Sequence, residues 1–385
     1  MSVPVAIVVS TLEELARLNW GKLAEPITMV PDPHLMESMR AVGYTLETAI
    51  ADLIDNSVTA GASRVDLLFS GDGTSYVAII DDGGGMSAVQ AQNAMRLAGK
   101  SSRSDRESHD LGRFGLGLKT ASISQCRDLT VVSKHDGLVH GYRWDLDYLI
   151  EKGTWSLLQL TQDECRSLPE FAELDKKATG TLVLWRKLDQ LQATAGDLGT
   201  GLDESMIRVR KHLSLVFHRY LAGEHGRKFV IAINYRPIEG ADPLLQSHRA
   251  TQPGPLEKIH IEGEVIELRP FTLPHLNKLS SADRQRARVD GSLRDSQGFY
   301  IYREKRLVIW GTWFRIALSK SSVNWHGYEW TFPIPSTICG RWISKRRKPC
   351  PRLQLETDFV RSPTISWAQA DGFTNTEVDR RQRVR

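Results

Sequence analysis

The sequence predicts an α/β protein in which stripes of apolar residues at helical spacing are followed by alternating strands. Three stretches carry that expectation. In LETAIADLIDNSVTAGA (46–62), Leu46, Ala49, Ile50, Leu53 and Ile54 recur at helical spacing, so one face of a helix should pack on a core. RVDLLFS (64–70) and SYVAIID (75–81) alternate as strands around a tight GDG turn. From residue 228 onward, KFVIAINYRPI, KIHIEGEVIEL and GFYIYREKRLVIWGTWF form a second, strand-rich segment.

The helix over 46–62 follows Gly43 and ends at Gly61. Asp52 and Asn56 are four residues apart and therefore stack on one side of it. Glu47 lies about half a turn away from Asn56 and points elsewhere. A carboxylate beside a carboxamide can orient a water and complete the shell of a hard cation such as Mg²⁺; an amphipathic helix with polar edges would show the same residues. Earlier in the chain, Val3 to Val9 reads as a strand, and Thr11 with Glu14 has capping-box spacing at the head of a helix.

The strand 75–81 runs into DDGGGM. Asp81, at its end, can accept a hydrogen bond from an exocyclic amine, and Gly83 and Gly85 let backbone approach a flat ring. A strand-to-turn junction has the same composition. Residues 87–97 have helical period, and GKSSRSDRESHDLG (99–112) is a polar, charged loop. Gly112, Gly115 and Gly117 then precede a helix beginning near Leu118, an arrangement that exposes backbone N–H groups to an anion. Lys119 could add charge there, although a solvated lysine is the commoner case. There is no G-x-x-x-x-G-K-[ST] loop, and a G-x-x-G-x-G preceded by a charged loop does not make a dinucleotide site. Strands follow at 127–134, 141–146 and GTLVLW (180–185), and an amphipathic helix over 203–222 closes the first domain.

At 385 residues the chain should hold two domains and a tail, divided as 1–225, 226–318 and 319–385. A net charge of +4 does not by itself indicate nucleic-acid binding. Cys126, Cys165, Cys339 and Cys350 are scattered, which argues against a zinc site or disulfide framework and suits a reducing, cytoplasmic setting. No stretch is apolar for long enough to span a membrane. Residues 319–385 are irregular and basic, with single tryptophans; a family-specific extension or an out-of-frame reading of coding sequence would each give such a tail. The cluster Arg341 to Arg352 can touch nucleic acid, but a solvated basic run has the same composition.

Taken in order, ADLIDNSVTAGAS, DDGGGM, GRFGLGLKTAS and GTLVLW resemble the four motifs of the GHKL ATPases: gyrase B, the ninety-kilodalton heat-shock chaperone, histidine kinases and MutL. The resemblance covers roughly residues 40–190 and, with the HLSLVFHRYL helix, is most like MORC ATPases and their bacterial relatives, then MutL. It implies a Bergerat fold, a mixed sheet with helices on one face and ATP held between them, followed by a smaller α+β transducer-like domain. It implies Asn56 as the Mg²⁺ ligand and Asp81 as the adenine reader. Gly83, Gly85, Met86, Gly112, Gly115, Gly117, Leu118 and Lys119 would contact the nucleotide, Thr181 would hydrogen-bond near the adenine, and residues 98–115 would be the ATP lid. Asp52 stands where MutL, MORC and the chaperone usually carry a glutamate general base. In relatives a lysine or arginine of the transducer domain reaches the γ-phosphate; Lys305 and Arg306 are candidates, and as solvated turn charges they need no function.

The function implied is Mg²⁺-dependent ATP hydrolysis with ATP-gated homodimerisation into a clamp, used on DNA or with DNA-processing proteins in repair, restriction or defence. The alternatives are an ATP-binding switch without turnover, suggested by Asp52, and a chaperone-like ATPase. A histidine kinase fits less well, because no phospho-acceptor helix precedes the motifs.

Overall fold

A computed structural model of the protein describes residues 29–41, 43–96, 117–194, 198–261, 264–287, 296–313 and 326–332. The expected strand and helix before residue 29, the lid at 98–115 with Gly112 and Gly115, and the basic cluster at 341–352 lie outside these residues. The first part of the chain runs α1 (His34–Met39), α2 (Leu46–Thr59), β1 (Arg64–Ser70), β2 (Tyr76–Asp81), α3 (Ala88–Met95), α4 (Gly117–Gln125), β3 (Asp128–His135) and β4 (Leu138–Asp145). It continues with α5 (Leu146–Lys152), β5 (Leu158–Leu160), α6 (Gln162–Arg166), α7 (Phe171–Asp175), β6 (Gly180–Arg186), α8 (Asp189–Thr194), α9 (Leu198–Val216), α10 (His218–Leu221), β7 (Val230–Ile233) and β8 (Arg236–Pro237). These strands make one mixed sheet in the order β5-β4-β3-β6-β2-β1-β7-β8. All its pairings are antiparallel except β1 with β7.

Helix α2 is specified at both ends. Thr45 caps its start in a reciprocal capping box with Thr48, and Gly61, at φ 79°, turns the chain toward β1. Between these ends Ala49, Ile50, Leu53 and Ile54 are fully or almost fully buried in the main core, with Val65, Leu67, Val77 and Ile79 of the sheet and Leu202, Met206, Val209 and Leu213 of α9. Each fully buried Leu or Ile there contributes roughly 1.5–3 kcal/mol. Glu47 points away from that core and pairs with Arg208 of α9 at 3.1 Å. The opposite face of the sheet carries a smaller core, in which Leu68, Ile80, Val132, Leu182 and Leu184 meet Cys165 of α6 and Phe171 and Leu174 of α7. The apolar runs of β2, β3 and β6 follow from burial on both faces.

The amphipathic helix expected over 203–222 is longer and broken. It starts at Leu198 as α9 and is interrupted at Phe217, whose φ of −107° and ψ of 11° leave the helical region before α10.

A second sheet follows, built from β9 (Gln252–Pro253), β10 (Glu257–Ile261), β11 (Glu264–Thr272), β12 (Gly298–Arg303), β13 (Arg306–Thr312) and β14 (His326–Phe332), with α11 (Ser281–Ala287) between β11 and β12. Its order is β10-β11-β14-β12-β13, with β9 beside β11. Two expectations change here. The strand in KFVIAINYRPI does not open the second unit: Val230–Ile233 pairs with Arg64–Leu67 of β1, so the first sheet runs past residue 225. An apolar strand carries no mark of the sheet it joins, and the parallel partner lies far back in the sequence. Nor is the whole of 319–385 irregular. His326–Phe332 pairs with β11 on one side and β12 on the other and so sits inside the second sheet. The alternation of Tyr328, Trp330 and Phe332 in HGYEWTF marks that strand.

Candidate active site

Three of the residues singled out from sequence meet where the end of β2 faces the last turns of α2. Asp81 is buried, and its two oxygens are used differently. Oδ1 accepts from the backbone N–H of Gly83 at 3.0 Å and of Thr181 at 3.2 Å. Oδ2 accepts from the hydroxyl of Ser57 at 3.0 Å. Ser57 immediately follows Asn56, so this bond ties the helix carrying Asn56 to the strand carrying Asp81. Thr181 is opposite Asp81 in the β2–β6 register. Burial, the largest influence, lifts the Asp81 carboxyl above the ordinary aspartate range against those three hydrogen bonds.

The neighbouring Asp82 does a different job. It accepts from the backbone N–H groups of Ser63 and Arg64, both at 2.8 Å, and so fastens the turn between α2 and β1. Its partial burial would raise its pKa, but these bonds and the Ser63 hydroxyl hold it below the usual range.

The glycines of the same segment are explained by protein contacts. Gly85 has φ 66°, and a Cβ there would lie 2.1 Å from the carbonyl oxygen of Lys134. A Cβ on Gly83 would lie 2.9 Å from that of Ala60. Met86 is half-buried, and its N–H donates to the Ser133 hydroxyl at 2.8 Å. Ser133 also lies 3.1 Å from the Thr181 hydroxyl, joining β3 to the Asp81 cluster. Sequence reasoning passed over Ser133; the available signal was a hydroxyl residue in the middle of an otherwise apolar strand.

Asp52 and Asn56 lie on one side of α2, both half-buried. The hydroxyl of Tyr44 donates to Asp52 Oδ2 at 3.0 Å. The Asp52 carboxyl is pushed up to about 6, first by burial and then by the charge of Asp55, while Tyr44, Arg306 and Arg303 oppose the rise. Burial and the Asp52 charge raise the Tyr44 phenol in turn.

Asp55, which the sequence did not bring forward, is buried on α2 and accepts from Arg306 Nε of β13 at 2.9 Å. Arg306 is therefore not a solvated turn charge. Lys119, too, departs from the solvated case: it is buried at 3% exposure and donates to the backbone carbonyl of Arg96 at the end of α3. Burial lowers its pKa. Gly117, Leu118 and Lys119 form the first turn of α4.

Among the described residues no group of three or more His, Cys, Asp or Glu side chains could hold a metal ion. Half-buried Asn56 offers one amide oxygen, a donor that would suit a cation keeping most of its water, as Mg²⁺ does. A cavity of about 620 Å³ lined by Leu35, Met39, Met95, Trp144, Trp155 and Leu157 contains none of these candidate residues. Among the described residues, no helix is long and apolar enough to cross a membrane.

A mixed sheet with its large helices on one face is the Bergerat type of α/β sandwich. Residues 44–181 match the family described as histidine kinase-, DNA gyrase B-, and HSP90-like ATPase. The chain is similar to the DNA mismatch repair protein MutL of a Bradyrhizobium species, at 28% identity over 126 residues, covering 32% of this chain and 20% of that protein. It is also similar to ATPase morc-1 of Caenorhabditis elegans, at 33% identity over 93 residues, covering 24% of this chain and 10% of that protein. The chain thus spans about a fifth of the length of the MutL relative it matches. A solved N-terminal domain of a DNA repair protein superposes with a TM-score of 0.45 at 15% identity, over 78% of this chain and 87% of that one, a likeness too loose to bear on function.

Proposed function

We propose that the protein binds Mg²⁺ and ATP between α2 and the end of β2 and hydrolyses the nucleotide. The observation that supports this is the Ser57–Asp81 bond, which joins the helix carrying Asp52 and Asn56 to a buried carboxylate with acceptor capacity left on Oδ2. In this reading Asp81 takes a hydrogen bond from the N6 amine of adenine, and Thr181 holds Asp81 in place. Gly83, Gly85 and Met86 border the base, and Gly112, Gly115, Gly117, Leu118 and Lys119 border the phosphates. Asn56 supplies the protein ligand to the Mg²⁺, which when bound neutralises phosphate charge. Asp52 draws a proton from the attacking water and Tyr44 fixes the carboxylate that does so. Asn56→Ala removes the only metal ligand assigned here, and calorimetry should show Mg·ATP affinity reduced by roughly 100-fold or more. Wild-type affinity in that variant would refute the assignment.

The second sheet serves as the transducer-like unit, and the protein acts in DNA transactions as an ATP-dependent homodimer. Support for this comes from the family match over residues 44–181 and from the similarity to MutL and MORC proteins. Light scattering should find a monomer or weak dimer without nucleotide and a dimer with a nonhydrolysable ATP analogue. Equal masses in both states, well above micromolar protein, would reject nucleotide-gated assembly. A second reading, an ATP-dependent switch without turnover, is favoured by one observation, the short Asp52 in place of glutamate; hydrolysis no faster than background, with or without DNA, would establish it.

A further inference from the structure

Arg306 is spent on the protein itself. Its Nε donates to Asp55 at 2.9 Å, its Nη1 donates to the carbonyl of Leu307 at 2.7 Å, and its guanidinium lies 4.4 Å from the centre of the Phe217 ring at the break between α9 and α10. Both partners are nearly out of water, with side-chain exposures of 9% and 12%. The hairpin that presents Arg306 is tight. Arg303 of β12 pairs directly with Arg306 of β13 around Glu304 and Lys305, and the charge of Arg303 also acts on Asp52 and Asp55. A second ion pair joins the same two units at 2.7 Å, from Arg219 of α10 to Glu329 of β14.

Asp55 occupies a telling place on α2. At about 100° per residue it lies about 60° around the helix from Asp52 and about 100° from Asn56. An anchor there governs the roll of the helix, and a small roll redirects both side chains together. A buried ion pair adds little to stability over an apolar pair of the same size, because desolvation offsets the attraction; its use lies in fixing one geometry.

We propose that Arg306 is a positioning residue for hydrolysis: by holding Asp55 it sets the direction in which Asp52 and Asn56 point, so that turnover depends on the β12–β13 hairpin being docked on α2. This rests on the proposed ATPase function, and it gives Arg306 a role other than contact with the nucleotide.

The test uses the full chain with Arg306→Met, Asp55→Asn, their combination and Arg306→Lys. Turnover, Mg·ATP affinity by calorimetry, melting temperature and hydrogen exchange of α2 are measured for each. Removing one partner strands a buried charge and can unfold the protein, so the combined variant, which leaves no lone charge, is the decisive one. It should melt near wild type, yet lose roughly 10- to 100-fold in turnover, more than any accompanying loss of Mg·ATP affinity, with faster exchange in α2. The single substitutions should not add in the double, and Arg306→Lys should recover part of the rate. Turnover within about twofold of wild type together with unchanged α2 exchange in the combined variant would overturn the proposal. So would a loss of ATP affinity in Arg306→Met that Asp55→Asn does not share, since Arg306 would then act on the nucleotide. If the wild type hydrolyses no ATP, the proposed turnover fails, and the α2 exchange comparison alone decides whether Arg306 positions the helix.

Discussion

Asp52→Asn should cut ATP turnover by roughly 100- to 10,000-fold, the usual weight of a general base, while Mg·ATP affinity stays within about threefold of wild type. The substitution keeps an oxygen for the Tyr44 hydroxyl but leaves no group able to take a proton from water. The pH dependence follows from the same carboxyl. It is pushed up to about 6, and only its ionised form is a base, so kcat/KM should be level above about pH 7 and fall about tenfold per pH unit below 6. The effect on stability has the opposite sign. Because the folded state raises this pKa, the native protein holds the proton more tightly than the unfolded chain does. Ionising Asp52 therefore costs stability as pH rises toward 6, and the cost persists above it. Asp52→Asn should accordingly melt higher than wild type at pH 8 and not at pH 4. Full turnover in the variant, or a rate insensitive to pH between 5 and 7, would remove Asp52 from the chemistry.

Asp81→Asn should weaken ATP binding roughly 5- to 150-fold, equivalent to about 1–3 kcal/mol. The reason is the division of labour between its oxygens. A carboxamide can still accept from Gly83 and Thr181 on the Oδ1 side. On the other side it presents an NH₂ group, which the Ser57 hydroxyl can rotate to meet but which opposes the N6 amine of adenine. Affinity should therefore fall without loss of the fold, and a nucleotide whose base carries a carbonyl at that position should lose less than ATP does. Titration calorimetry with ATP and GTP on both proteins checks this; equal losses for the two nucleotides would dissociate Asp81 from base recognition.

Those parts of the fold that rest on local periodicity were legible in the sequence. The stripe through Ala49, Ile50, Leu53 and Ile54 and the alternation of β1 and β2 appear as expected. The neighbourhood of Asp81 and Thr181 was legible through motifs, because the antiparallel pairing of β2 and β6 brings the end of one strand to the start of the other. What was hidden depends on partners distant in the chain. Asp55 reads as one more polar position on an amphipathic helix until Arg306 is beside it, and neither residue carries a local sign of the other. Lys119 was obscured by the ordinary preference of lysine for solvent; its burial follows from the Arg96 carbonyl at the end of α3, a backbone group that no side-chain pattern encodes. The placement of β7 beside β1 in the first sheet was hidden likewise, since the same apolar run would suit either sheet.

The Asp55–Arg306 pair joins residues 251 positions apart, which bears on how the molecule comes to be built. During synthesis the segment carrying Asp55 emerges long before its partner exists, and β1 must likewise await β7, its parallel neighbour in the sheet. Closing so long a loop is slow in entropic terms, and the contact stabilises nothing until both ends are ordered. Until then Asp55 has to stay hydrated or take up a proton, and either state holds α2 short of its final seat. Helix α2 is thus made long before the arginine that neutralises its buried Asp55, and a nascent or clipped chain lacking β13 would carry the matched motifs with that partner missing.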